Sequence, residues 1–334
     1  MPDEELEQFK TRIDLRTVAA SRGYVEDKRE SSRNSATMRH PNGDKLIIAR
    51  LADNGKRARS GGEPYWNYFN VHDAPDKGTV INFLQNRGGG SLGEVRKTLR
   101  AWLGGSRPVG VKLPAFAREL LPMSRDRAGV MAAWERARAC TALPYLTSRG
   151  LGPDVLALPR FAGCVRVDQR NNALFPHFDK DGLCGYEIKN KGFTGFAPGG
   201  VKGLWYSKAK PTDHWLVLTE SAIDAYSFQV LHGGDSTRFM STGGELSPTQ
   251  RGDFEMGPDG ELKLKQPGLL RLAMEKLPAG AVVILGFDND DPGEKLADEV
   301  RALAPAGREL CRMMPEAGTG KDWNEALKCR LGLT

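Results

Sequence analysis

The C-terminal third of the chain alternates short apolar runs with stretches of helical spacing. HWLVLTE (214–220) is an apolar run, followed by a helical stretch, SAIDAYSFQVLH. RFMST is a second run and ends on Gly243-Gly244, and GLLRLAMEKLP is helical again. AVVILGFD (281–288) is the strongest strand signal, bounded by Gly280 and a cluster of acids. PGEKLADEVRALA opens with Pro292 in a first helical turn, where a missing N–H costs nothing. ELCRMMP and KDWNEALKCRLG close the series as a last strand and a last helix. Strand and helix in alternation predict an α/β fold, a parallel sheet with helices on its faces.

Upstream the pattern changes. Residues 136–212 are short strands and glycine turns, predicting a basic mixed α+β subdomain. Residues 105–135, with SRPVGVKLPAF and LPMSRDRAG, read as a proline-punctuated linker. Residues 1–104 form a small mixed domain, which leaves 213–334 as the parallel-sheet domain.

Composition narrows the class. No run of about 18 apolar residues is present, so no membrane span is expected. The N-terminus, MPDEELEQFK, is too polar for a signal peptide. Five scattered cysteines without a CxxC pair fit a reducing, cytoplasmic setting. The net charge of +6 hides an asymmetry: residues 1–130 carry 23 Lys and Arg against 16 Asp and Glu, while residues 213–334 carry 13 against 20. A basic surface beside an acidic site suits a polyanion handled by metal-assisted chemistry.

The acids sit where such chemistry is built. Parallel sheets bind ligands beyond the carboxyl ends of their strands. Glu220 ends the first strand, Asp288 and Asp290 follow the strongest one, and Asp322 follows the last. Asp224 lies one helical turn beyond Glu220 and can face the same way. Together these carboxylates make an oxygen-only pocket suited to Mg²⁺ or Mn²⁺. Taken singly, each has a structural alternative: Asp290 or Asp291 caps the next helix, and Glu220 is a surface strand end.

The order of these motifs resembles the Toprim domain of bacterial primases, topoisomerases and some nucleases. TESAIDA is similar to its glutamate motif, FDNDDPGEK to its Asp-x-Asp motif, and MPEAGTGKDWNEAL to the primase version of its last motif. That family often carries a second acid two residues after Asp322, where this chain has Asn324. ALPYLTSRGLGPDVLALPRFAG resembles the entry to the primase core. NNALFPHFDKDGLCGYEIKNKGFTGFAPGGVKGLWYSK resembles the basic strand region of that core, placing Lys189, Lys191 and Lys202 as cations for triphosphate or strand backbone. Residues 1–104 resemble the zinc ribbon that opens bacterial primases, through the P-x-G-D-K turn and the KGTVINFL helix. The ligand positions carry Arg39, His40, Asn70 and Asp73, so no zinc is expected. Packing of Trp66, Tyr68, Phe69 and Phe83 would hold the ribbon instead, and Arg39, Lys45, Tyr65 and Trp66 would suit contact with single-stranded DNA.

The resemblance implies a DNA primase that condenses ribonucleoside triphosphates on a single-stranded DNA template. Glu220, Asp288 and Asp290 would hold the metal, Asp224 and Asp322 would shape the site, and Glu220 could also act as general base. The chain ends after the last Toprim helix without a helicase-binding domain. This implies a short primase of a plasmid, phage or other mobile element, with a replicative helicase or a relaxase as partner. Two other readings stand beside it: a Toprim nuclease using the same metals, and a DNA-binding accessory protein with a weak site. A topoisomerase is disfavoured, because the chain has no room for gate domains.

Overall fold

The computed structural model describes residues 3–52, 63–73, 76–88, 90–103, 116, 118–256 and 262–333. Of the segment expected as a linker, residues 105–115 and 117 lie outside them. The chain divides into two compact units, Met1–Arg125 and Asp126–Thr334.

The first unit is a five-stranded antiparallel sheet in sequence order: Val25–Glu26, Ser35–Arg39, Lys45–Leu51, Tyr65–Asn70 and Lys77–Gly78. Four helices, Glu4–Arg12, Leu15–Ser21, Val80–Gly88 and Leu92–Leu103, supply the other half of its core. Alternation decides which side chains enter. Ala36, Met38, Leu46, Ile48, Trp66 and Tyr68 point inward and pack against Phe9, Leu15, Phe83 and Leu99. Phe69, expected in this core, is 48% exposed. It sits one residue after Tyr68, and successive strand side chains take opposite faces.

The second unit holds two larger sheets. One is antiparallel, in the order Phe193–Phe196, Gly182–Asn190, Ala173–Asp179, Arg166–Val167 and Arg138–Ala139. The other runs Trp205–Tyr206, Thr237–Ser241, Trp215–Thr219, Val282–Leu285 and Leu310–Arg312, and all its pairings are parallel except that of the first strand. This is the α/β sheet that the alternating pattern predicts. Its central strands are buried on both faces, as parallel strands usually are. Val217, Phe239 and Ile284 face Phe161, Tyr226 and Trp323. Leu216, Leu218, Val283 and Leu285 face Leu270, Met274, Leu296 and Val300. The hairpin Gly252–Met256 with Leu262–Pro267 was not among the expected elements.

Register sets the site. Leu218 pairs with Leu285, and Thr219 with Ser241. The residues just past each strand therefore meet on one edge: Glu220, Gly243 and Asp288.

Candidate active site

Each acid is held in place by backbone as much as by its neighbours. Glu220 follows Trp215–Thr219, and its carbonyl accepts the Gly244 N–H at 2.9 Å. Gly286 N–H donates to the Leu218 carbonyl at 2.8 Å, which fixes the start of the turn carrying Asp288. Arg312 ties down the rest of that turn, donating to the carbonyls of Leu285, Phe287 and Asp288 at 2.8–3.0 Å. Gly293 in the next helix lies so close that a Cβ there would stand 2.1 Å from the Asp288 carbonyl oxygen. Only glycine lets that helix start press against the acid turn.

Asp290 has two roles. It is the N-cap of Asp291–Leu303, accepting from the Gly293 N–H at 2.9 Å. Its other oxygen accepts from Lys321 Nζ at 3.2 Å, and the same ammonium lies 3.5 Å from Asp288. Lys321 is therefore the cation nearest the Asp-x-Asp pair. The turn bearing it is joined to the acid turn by the Asn289 N–H, which donates to the Lys321 carbonyl at 2.7 Å.

The carboxylates repel one another. Burial and then the charges of Asp288 and Asp290 push Glu220 up to about 7. Burial and then Asp322 push Asp288 up to about 6, with Lys321 opposing. Asp224 and Asp322 are raised too, Asp224 by burial and then by Asp322, and Asp322 chiefly by burial. Asp224 is buried, and its carboxylate accepts from the Asn324 N–H at 3.2 Å and the Ser221 hydroxyl at 2.6 Å.

Asn324 stands where a further acid was expected. It is 2% exposed, and its amide is fully engaged: it donates to Ser227 Oγ at 3.0 Å and the Arg149 carbonyl at 2.8 Å, and accepts from Arg149 Nη1 at 3.1 Å. This asparagine joins three elements rather than facing the acids.

A basic group lies beside the loop after Thr237–Ser241, with Lys189 on the strand Gly182–Asn190 and Lys202 in the segment before Trp205–Tyr206. Lys202 Nζ donates to the Glu245 carbonyl at 2.6 Å, and burial lowers it to about 8 against the pull of Glu187, Glu245 and Glu220. Lys189 pairs with Glu187 at 3.0 Å. Glu187 also lies 3.2 Å from His177 Nε2, while His177 Nδ1 faces the Gly203 carbonyl at 2.7 Å. Burial would raise Glu187, but Lys189 and His177 hold it down at about 2. Gly243, at φ 68°, lets the loop approach this group; a Cβ there would lie 2.9 Å from the His177 ring and 3.2 Å from Lys202. Lys191 is exposed in the turn before Phe193–Phe196.

The expected nucleic-acid contacts of the first unit have local partners. Arg39 pairs with Asp27 and Glu30, and Lys45 with Glu30. Trp66 is 7% exposed, with the guanidinium of Arg16 5.2 Å from its ring centre, and Tyr65 is half-buried. Of the expected ribbon positions, His40 packs on Tyr24 and Asn70 donates to Asp44 and Asp76. Arg87 lies between Asp44 and Asp76 and donates to Tyr24.

Lys321, Arg312, Glu187, His177 and Arg149 were not among the expected site residues. Lys321 had a signal, the lysine directly before Asp322. The others are read only from contacts distant in sequence.

Among the described residues, no three His, Cys, Asp or Glu side chains converge closely enough to ligate one ion. The donor chemistry still fits a hard divalent cation: carboxylates only, Glu220 and Asp288 raised by burial and then by neighbouring acids, with Lys321 beside Asp288 and Asp290.

A parallel sheet with carboxylates beyond its strand tips and amines opposite defines a Toprim-like fold. A family model described as Toprim-like matches residues 263–327, spanning Asp288, Asp290 and Asp322 and leaving Glu220 upstream. A second model, for a protein of unknown function (DUF3991), matches residues 144–213. No curated protein matches the chain. Among solved structures, the chain is similar to the primase fragment of the bacteriophage T7 primase-helicase protein, at 17% identity over 69% of this chain and 80% of that chain, with a TM-score of 0.41. A chain from the bacteriophage T7 lagging-strand DNA polymerase complex with primase domains bound to an RNA/DNA hybrid and dTTP is similar at 18% identity, covering 60% of this chain and 89% of that chain, TM-score 0.41.

Proposed function

We propose that this chain is a primase: a nucleotidyltransferase that joins ribonucleoside triphosphates into short primers on single-stranded DNA. One observation carries the reading. Register and three tied turns bring Glu220, Asp288 and Asp290 to one sheet edge, and Lys202 reaches the loop after Glu220's neighbouring strand from the segment between Phe193–Phe196 and Trp205–Tyr206. Acids on one side and a half-buried amine on the other suit a phosphate chain held between a divalent cation and a lysine.

Glu220, Asp288 and Asp290 would hold Mg²⁺ or Mn²⁺, which supplies neutralising charge on the phosphates when bound. Lys202 would hold phosphate oxygens of nucleotide or primer, where a charge-assisted contact is strongest. Glu187 and His177 keep Lys202 and Lys189 at that edge. Arg312 and Gly293 keep the Asp288 turn rigid. Asp322 caps Trp323–Leu331 through the Glu325 N–H at 2.7 Å and so anchors the turn bearing Lys321. Template single strand and nucleotides are the partners this reading requires, with a helicase or relaxase delivering the template. Among the described residues no helix is long and apolar enough to cross a membrane.

The test is incubation of the full chain with mixed-sequence single-stranded DNA, labelled nucleoside triphosphates and Mg²⁺ or Mn²⁺. Labelled extended products are expected. Shortened DNA would make the protein a nuclease built on the same acids, and retention of DNA without either would make it an accessory binding protein.

A further inference from the structure

The second unit has a cleft that the acid site does not use. It measures about 460 Å³ and lies between the edge strand Trp205–Tyr206 and the helix Leu269–Glu275. None of Glu220, Asp288, Asp290 and Asp322 lines it. Along Thr237–Ser241 its lining runs from Arg238 to Met240, short of the Gly243 turn.

The walls are apolar and of two kinds. On one side Phe178 and Tyr206 lie nearly parallel, ring centres 4.9 Å apart at 29°. Tyr206 is 40% exposed even with Phe178 against it. On the other side Leu269, Leu272 and Ala273 line the cleft at spacings of three and four, one stripe of the helix. Its sister residues Leu270 and Met274 are fully buried in the core, so the helix is anchored and the stripe is left for something else.

The rim is basic. Lys276 continues the helical stripe, Lys208 follows the edge strand, and Lys180 sits in the turn after Ala173–Asp179. All three are exposed, and among the described residues none pairs with a carboxylate. Arg238 is different, since it lies 3.6 Å from Asp213. The one acid on the border, Asp179, is already held by Arg127 at 2.9 Å.

We propose that this cleft takes a nucleotide unit of single-stranded nucleic acid, with its base against Tyr206 and its flanking phosphates on Lys180, Lys208 and Lys276. An aromatic face with cations around it is the combination that holds single strands without reading sequence. The slot between a ring wall and an aliphatic wall fits a flat base, and the volume accommodates one base with its sugar. This site goes beyond the proposed chemistry: it holds strand beside the edge strand Trp205–Tyr206, in a cleft that none of the acids of the site lines.

The test is photocrosslinking of the full chain to a short oligothymidylate carrying thiothymidine, with the adduct mapped by mass spectrometry and affinity followed by fluorescence anisotropy against salt. Adducts on Tyr206 or Phe178 are expected. Lys208→Ala combined with Lys276→Ala changes only exposed side chains and should lower the slope of log K against log salt by about 1.4, two phosphates' worth on a single strand. Tyr206→Ala should weaken binding on the order of tenfold or more. The adduct should persist in Asp288→Asn, so failure of the primase reading leaves this result readable. Adducts confined to other residues together with an unchanged salt slope would overturn the proposal. So would displacement of the oligomer by equimolar free dTTP, which would make the cleft a mononucleotide site.

Discussion

At the residue scale the acid turn and its facing lysine carry the sharpest expectations. Asp288→Asn and Asp290→Asn should each lower primer synthesis by about 100-fold or more, the cost of losing a group that stabilises developing charge. DNA retention in a filter assay should stay near wild type, because the cations that hold strand lie elsewhere. Synthesis at wild-type rate in both variants would remove these residues from the site. Protonation offers an independent reading. Glu220 at about 7 and Asp288 at about 6 lie above the ordinary 4.5 and 3.8, so the folded state binds more protons than the unfolded one. Stability then falls as pH rises from about 4 towards 7, by on the order of 1–3 kcal/mol per group. Without divalent cation, Tm should drop across that window, Mg²⁺ should recover it at neutral pH, and Glu220→Gln should flatten it. A Tm that climbs steadily to pH 7 in both proteins would contradict the arrangement. Lys202→Ala should weaken the active complex by about 1–3 kcal/mol, seen in kcat/KM for nucleotide or template. Unchanged kinetics for both substrates would leave Lys202 a structural lysine.

At the scale of elements, the first unit shows how a small sheet is pinned. Arg87, on the helix Val80–Gly88, reaches Asp44 in the turn before Lys45–Leu51 and Asp76 before Lys77–Gly78. It also packs over Tyr24, Tyr68 and Phe83 at 4.6–5.6 Å. Burial would raise Asp76, but Arg87, Tyr68 and Asn86 hold it far below the usual carboxylate range. Removing Arg87 leaves two partly buried carboxylates with neutral donors but no cation. Arg87→Met should therefore destabilise the unit by on the order of 3 kcal/mol, measured by urea unfolding. Phe83→Ala, at a fully buried ring, should cost about 3–5 kcal/mol. EDTA should leave the far-UV spectrum and the melting of this unit unchanged; a chelator-induced loss of structure, or one zinc per chain by elemental analysis, would show that a metal pins it.

At the scale of the whole molecule, the acids, the facing lysines and the elements tying them all belong to Asp126–Thr334, while Met1–Arg125 forms its own core. Deleting residues 1–125 should therefore leave extension of a pre-annealed primer intact. Initiation on bare single strands should fall if the first unit presents template. Loss of extension as well would mean that the catalytic unit does not stand alone. A truncated protein that initiates like the full chain would remove the first unit from initiation.

The alternation of apolar runs and helical stretches was enough to place the parallel sheet. So was the position of Glu220, Asp288, Asp290 and Asp322 just past its strands. Periodicity, β-branching and a proline in a helix's first turn act over a few residues, so they are legible along the chain. The inward set of the first unit was legible only in part. Trp66, Tyr68 and Phe83 of the expected aromatic cluster are buried, but the phase that turns Phe69 outward depends on which face the helices cover. Other features required the tertiary structure because they join segments far apart in sequence. Register between parallel strands set Glu220 beside Asp288. A second sheet brought Glu187 and His177, and the loop following it brought Lys202, against the Gly243 loop at the same edge. Packing of Arg149 and Ser227 gave Asn324 a structural place where an acid was expected. The cleft under Tyr206 belongs to the same group. Its ring wall, helix stripe and lysines come from three separate segments, and none is unusual until the fold sets them side by side.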